Sequence, residues 1–224
     1  MQKKNYVVLG LVVLSLCTIF IIGTNKIQAT SSINDASFYK QWGETLAEYS
    51  SSISAKENFS AGTDNNNTII VPESEIKQAI EFYKLQNISE SDAKLKAEEY
   101  SKRRNALYHE AILNGFDVTD TEIRDFLETQ KQFLKNTKNA EEANIMIEGF
   151  GSEEAYWEYE LYVHKKNLPI MKYREFLEEQ YYAENNMKTD EKIEGDTLIL
   201  GGNFNDYYES YQQSLLDKYT FEIR

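Results

Sequence analysis

The groups in this 224-residue chain that could do chemistry are two histidines, one cysteine and 37 acidic side chains. Nucleophilic catalysis needs a Ser, Cys or Thr beside a base that is itself held in place. Zinc needs His, Cys or carboxylate ligands at short, set spacings. His109 stands between Tyr108 and Glu110, and His164 precedes Lys165 and Lys166. Neither has a second His or a Cys at metal-ligand spacing. His164, near the end of a helical segment, suits the negative end of a helix dipole. Cys17 lies in an apolar run at the N-terminus, which leaves the rest of the chain without a thiol nucleophile or a disulfide. The carboxylates leave a carboxylate-based hydrolase as one open reading, although no pair stands out from a solvated background. "GGNFND" and "GFGSEE" lack the lysine and spacing of a phosphate loop, and "DNNNT" lacks the calcium-loop pattern. The expectation is a protein that is not an enzyme, with no metal and no cofactor.

Recognition chemistry is better represented. Tyr156, Trp157, Tyr159 and Tyr162 crowd one segment, Tyr173, Phe176, Tyr181 and Tyr182 the next, and Tyr207, Tyr208 and Tyr211 the last. One helix cannot bury the first four on a single narrow face. One reading is a tyrosine-rich core with hydrated hydroxyls. The other is an amphipathic cleft for extended apolar segments, with acidic rims that attract cationic ones. On the second reading the client-binding residues are Tyr156, Trp157, Tyr159, Tyr162, Phe176 and Tyr181.

Charge narrows the partners. The net charge is −13, and residues 30–224 carry 21 Lys and Arg against 37 Asp and Glu, a net of −16. Such a surface repels nucleic acid and anionic headgroups and leaves cationic polypeptides as partners. The N-terminus bears on the compartment. Lys3 and Lys4 precede a charge-free apolar run from Tyr6 to Thr24, and Ala29 closes "KIQA". That is the order of a secretory signal cleaved after Ala29. The run is also close to the roughly 20 residues of a transmembrane helix, so an uncleaved signal anchor contacting the membrane is the rival. Leu16 is too large for a lipobox before Cys17. Either way the expectation places the body outside the cytoplasm, secreted or membrane-anchored.

The elements that must position the aromatic residues follow from periodicity. Residues 30–67 read as a polar tether, interrupted by a short docking helix with Phe38, Trp42, Leu46 and Tyr49 at helical spacing and Gly43 inside it. "NTIIVP" reads as a strand, and Pro72 opens a helix. Ser89 is expected to cap a long helix whose stripe is Ala97, Tyr100, Leu107 and Ala111, with Arg104 at its edge. "NGFDVTDTEIRDF" then packs several signals together. Gly115 supplies a left-handed residue and Phe116 its apolar partner. Thr119 and Glu122 form a capping box, and Val118 and Ile123 a hydrophobic staple. Helices are expected over 120–136, over "NAEEANIMIEGF", after the cap Ser152, and again from near Pro169. "MKTDEKIEGD" reads as a linker, "TLILGG" as a strand, "NDYYESYQQSLLDK" as a last helix and "YTFEIR" as a terminal strand.

The order "NALYHEAILNGFDVTDTEIRDFL … GFGSEEAYWEYELYVHKKNLPIMKYREFL" resembles the N-terminal chaperone domain of the SurA/PrsA-like foldases. The matching residues are Ala111, Gly115, Val118, Thr119, Asp120, Glu122 and Ile123, then Gly149, Gly151, Ser152, Glu153 and Glu154. The likeness spans roughly Ile69 to Tyr182, and most of its motifs are helix caps. In that family a parvulin isomerase follows, then a returning helix and strand. Here only "AENNMKTDEKIEGDTLILGGN" intervenes, too short for a parvulin domain, before "FNDYYESYQQSLLDKYTFEIR".

The resemblance implies a mostly α fold with a small β component. Residues 1–29 are a signal or anchor, 30–67 a tether, and 68–224 a SurA-N-like helical domain. It implies a non-catalytic, extracytoplasmic chaperone-like protein for unfolded or peptide clients. A dedicated cell-surface adaptor with one partner is the alternative. Gly115, Thr119, Glu122 and Ser152 are expected to set the shape rather than touch a client.

Overall fold

A computed structural model describes residues 36–52, 67–136, 140–185, 192–194, 197–199 and 202–224. Residues 1–29, expected to be a signal or anchor, and most of the expected tether at 30–67 lie outside them. Seven helices occur among the described residues: α1 (Ala36–Ser52), α2 (Glu73–Leu85), α3 (Glu90–Leu113), α4 (Asp120–Asn136), α5 (Ala140–Phe150), α6 (Glu153–Glu184) and α7 (Gly202–Lys218). Strand β1 (Thr68–Val71) precedes α2, β2 (Lys192–Glu194) and β3 (Thr197–Ile199) precede α7, and β4 (Thr220–Ile223) ends the chain. The protein is therefore mostly helical with a small β component. No helix among the described residues is long and apolar enough to cross a membrane. This corrects the expectation of a transmembrane helix; the apolar run on which that expectation rests lies outside the described residues.

The local signals between α3 and α4 fold as their chemistry dictates. Gly115 has φ +81°. The amide of Phe116 donates to Ala111 O at 2.9 Å, and that of Gly115 to Ile112 O at 3.0 Å. These two bonds satisfy carbonyls that the end of α3 would leave open. At α4 the Thr119 hydroxyl accepts from Glu122 N at 3.2 Å, and Glu122 accepts from Thr119 N at 2.8 Å. Ser89 caps α3 by accepting from Asp92 N, and Ser152 caps α6 by accepting from Ala155 N. Asn87, with φ +61°, takes the left-handed place after α2 that glycine takes after α3.

Two buried clusters share the core. One gathers α1, α2, α4, α5 and the first halves of α3 and α6 around Trp42, Phe82, Leu127, Met146 and Tyr156. The other gathers Ile69, the second halves of α3 and α6, and α7 around Leu107, Tyr173, Phe204 and Tyr208. Residues 104–111 of α3 are all buried. A helix buried all round is a central one, and α3 is packed by α2, α6, α7 and β1.

Several sequence expectations are corrected. The docking helix is α1, and it belongs to the body rather than the tether: Phe38, Trp42 and Leu46 are buried, each contributing about 1.5–3 kcal/mol. Gly43 is what lets α1 cross α5 closely, because a Cβ there would run into the carbonyl of Met146; Gly149 faces Lys40 O in the same way. Pro169 does not begin a helix but sits inside the 32-residue α6. A mid-helix proline costs about 3 kcal/mol. Burial of Lys166 through Ile170 and the bonds of Asn167 to Arg104 offset it. The presumed linker contains β2, which pairs with β3 in a separate antiparallel ladder. β1 pairs with β4 in parallel, Thr68 opposite Thr220 and Val71 opposite Ile223, in a second two-stranded sheet.

Candidate functional site

One buried charged cluster locks three helices together. Glu75 of α2 accepts from Arg104 Nη1 at 3.0 Å, from Asn105 Nδ2 at 2.9 Å and from Lys166 Nζ. Lys166 also donates to Asn105 Oδ1 at 2.9 Å. The Arg104 guanidinium donates to Asn167 Oδ1 at 3.1 and 2.7 Å. Arg104 is therefore the buried hub of α2, α3 and α6, a correction to its place at the stripe's edge. Burial would raise the Glu75 pKa, but the positive charges of Lys166 and Arg104 outweigh it and hold the carboxyl down at about 2. Each charge in this cluster has a partner, so it braces the fold instead of offering a reactive base.

A groove of about 1010 Å³ opens between α4 and the first half of α6. Leu127, Trp157 and Leu161 supply its apolar surface. Asp125, Glu128, Glu153, Glu154 and Glu158 line it with five carboxylates, against the two cations Arg124 and Lys131. The capping box at Thr119 starts α4 at a set angle and the cap at Ser152 starts α6, so both walls are fixed at their first turns. Lys131 Nζ lies over the Trp157 ring, 4.9 Å from its centroid. The indole nitrogen donates to Glu153 Oε1 at 3.4 Å. Trp157 is 8% exposed, at the edge of the core.

The residues expected to bind a client divide. Tyr156 (0% exposed) and Tyr159 are core residues, a correction to their reading as groove residues. Tyr156 packs edge-on to Phe150 and Trp157. Tyr159 takes a hydrogen bond from Gln78, and burial, with Glu160 beside it, pushes its hydroxyl above the usual tyrosine range. Trp157 alone lines the groove. Tyr162 is half-buried. Phe176, 38% exposed and farther along α6, stacks on Tyr173 and packs at a tilt on Phe116 of the turn before α4. Half-buried Tyr181 packs on Tyr207 of α7. The structure thus places Tyr156 and Tyr159 in the core and Trp157 at the groove, while Phe176 and Tyr181 pack on other aromatic residues and Tyr162 lines neither core nor groove.

The groove residues missed in the sequence are Leu127, Lys131 and Leu161 with their acidic neighbours. Their signal is a matched i, i+4 spacing: Leu127 and Lys131 on α4, Trp157 and Leu161 on α6.

Both histidines are buried, and His164 lies inside α6 rather than near a helix end. His109 is edge-on to Tyr219, with ring centroids 5.2 Å apart. His164 Nδ1 lies 2.9 Å from the Glu160 carbonyl oxygen and 3.2 Å from the buried Glu160 carboxylate. No group of three His, Cys, Asp or Glu suited to a metal ion occurs among the described residues. No protein-family model, curated protein or solved structure matches this chain.

Proposed function

We propose that this protein is a chaperone-like binder of unfolded or extended polypeptides that works outside the cytoplasm and without catalysis. It would correspond to the chaperone module of a SurA/PrsA-like foldase from which the parvulin domain is missing. The observation that carries the reading is the groove between α4 and α6. It has apolar side chains to hold a client's hydrophobic residues and a charged lining to keep the unoccupied face hydrated. The order of helices through the Gly115 turn, the caps at Thr119 and Ser152, and a returning α7 and β4 paired beside β1 agree with that module. The acids lining the groove are exposed. A general acid poised near neutral pH usually relies on a desolvated carboxyl, so the groove is better suited to recognition than to hydrolysis.

Residues 30–224 in excess should suppress aggregation of a chemically unfolded substrate, and should not accelerate prolyl isomerisation of a peptide. Absence of suppression at any excess rules the proposal out. Capture of one stoichiometric partner in place of many clients would replace it with the dedicated adaptor.

A further inference from the structure

The groove already holds a cation of its own. Lys131 Nζ sits over the face of Trp157, the site where a π-system attracts positive charge. Around it stand Glu153, Glu154 and Glu158 from one wall and Asp125 and Glu128 from the other. Lys131 comes from the same helix as the apolar Leu127, one turn away. The groove therefore displays, within the chain, a lysine and a leucine at helical spacing against an indole and a carboxylate rim. That is the pattern a bound segment of the same chemistry would present. Five carboxylates against two cations, on a body of net charge −16, supply the complementary charge.

We infer that the occupant of this groove is a cationic amphipathic segment of a partner polypeptide, whose Lys or Arg takes the place of Lys131 over Trp157. The inference rests on the proposed client-binding role and narrows it to one client chemistry. Lys131 then acts as a built-in competitor: it covers the indole while the groove is empty and must swing aside for a client.

The test is binding of a fluorescent Lys- and Leu-containing amphipathic peptide to the full chain, followed by anisotropy. The same peptide with Gln or Glu in place of Lys serves as comparison. The basic peptide should bind at least about tenfold tighter than the neutral one, and the difference should shrink between ~0.05 and ~0.5 M salt as screening grows. Lys131→Ala should tighten binding about two- to fivefold, the worth of an exposed cation–π contact. Lys135→Ala, which removes the same charge from the next turn of α4, should change it less than twofold, since exposed charges at a distance are screened. Glu154→Gln with Glu158→Gln should weaken the basic peptide and leave the neutral one unchanged. Equal binding of basic and neutral peptides overturns the inference and leaves the client-binding role standing. Equal effects of Lys131→Ala and Lys135→Ala overturn the displacement. Failure of all three peptides to bind sinks the inference together with the role it rests on.

Discussion

Glu75 and Arg104 meet at 3.0 Å where α2, α3 and α6 converge, and Lys166 closes the same carboxylate from the other side. The Glu75 side chain is 16% exposed and those of Arg104 and Lys166 are 11% and 3%. Two cations are therefore buried against one anion, with the side-chain oxygens of Asn105 and Asn167 completing the set. Removing the anion leaves both cations in a poor solvent.

Glu75→Gln should consequently destabilise the fold by about 3–5 kcal/mol, the cost of stranding a buried charge. The pH dependence has a definite sign. Folding lowers the Glu75 pKa from 4.5 to about 2. The stabilisation is present in full above pH 4.5 and is lost as pH falls through about 2, with a total on the order of 3 kcal/mol. Urea unfolding between pH 7 and pH 2 should show this acid-side loss in the native chain and a shallower one in Glu75→Gln. Parallel curves would place the effect elsewhere.

Gly43→Ala should separate α1 from α5. Its methyl would meet the carbonyl of Met146, which is helix backbone and cannot step aside as a flexible side chain could. Overpacking of this kind costs about 1–3 kcal/mol, and backbone contact points to the upper end. A lowered thermal midpoint together with new protease sensitivity within α1 is the expected result. A midpoint equal to or above that of the native chain would show that the two helices can shift apart without cost.

The same glycine shows where sequence reasoning stops. Helix boundaries, caps and the Gly115 turn were legible because they depend on residues within four or five positions of one another. Gly43 reads locally as a weak point in a helix, and its role depends on α5, about a hundred residues later. Pro169 misleads for a related reason. Its local rule says boundary, yet the burial around it and the Asn167–Arg104 bonds carry α6 through. The groove was half legible: Trp157 stood out by type, whereas Leu127, Lys131 and Leu161 are ordinary residues until α4 and α6 face each other. Tyr156 and Tyr159 stood out equally and are core, because counting aromatic residues does not tell which side of a helix meets another element.

The turn between α3 and α4 should be sensitive at its two ends for different reasons. Gly115→Ala forces a Cβ into a left-handed conformation at φ +81°, worth about 1–2 kcal/mol. No neighbour stands near that Cβ, so the loss is backbone strain alone. Thr119→Ala removes the hydroxyl that accepts from Glu122 N and should cost about 0.5–2 kcal/mol. Gly115→Asn should recover part of the loss, as Asn tolerates this region, and Thr119→Ser should recover most of the other. Equal stabilities for Gly115→Ala and Gly115→Asn in chemical denaturation would count against the backbone explanation.

The chain's end closes the fold through one carboxylate. Glu110 of α3 accepts from Tyr219 Oη at 2.6 Å and from Lys218 Nζ at 2.5 Å, just ahead of β4. β4 then runs beside β1, and Arg224 and Glu73 extend the contact: Arg224 N donates to Val71 O and Glu73 N to Arg224 O. Tyr219→Phe keeps the ring against His109 and loses only the bond to a charged acceptor, about 1.5–3 kcal/mol. Lys218 remains to pair with Glu110, which favours the lower end of that range. Deleting residues 220–224 removes no side chain from the Glu110 contact, but it strips β1 of its partner strand. A lone short strand does not persist in water, and Ile69 of β1, buried in the same cluster as Leu107 of α3, would lose part of its cover. The deletion should therefore cost more than Tyr219→Phe and abolish amide-exchange protection in β1, while Tyr219→Phe leaves that protection in place. Loss of β1 protection in both variants would mean that the Glu110 contact, rather than strand pairing, holds the two ends of the body together.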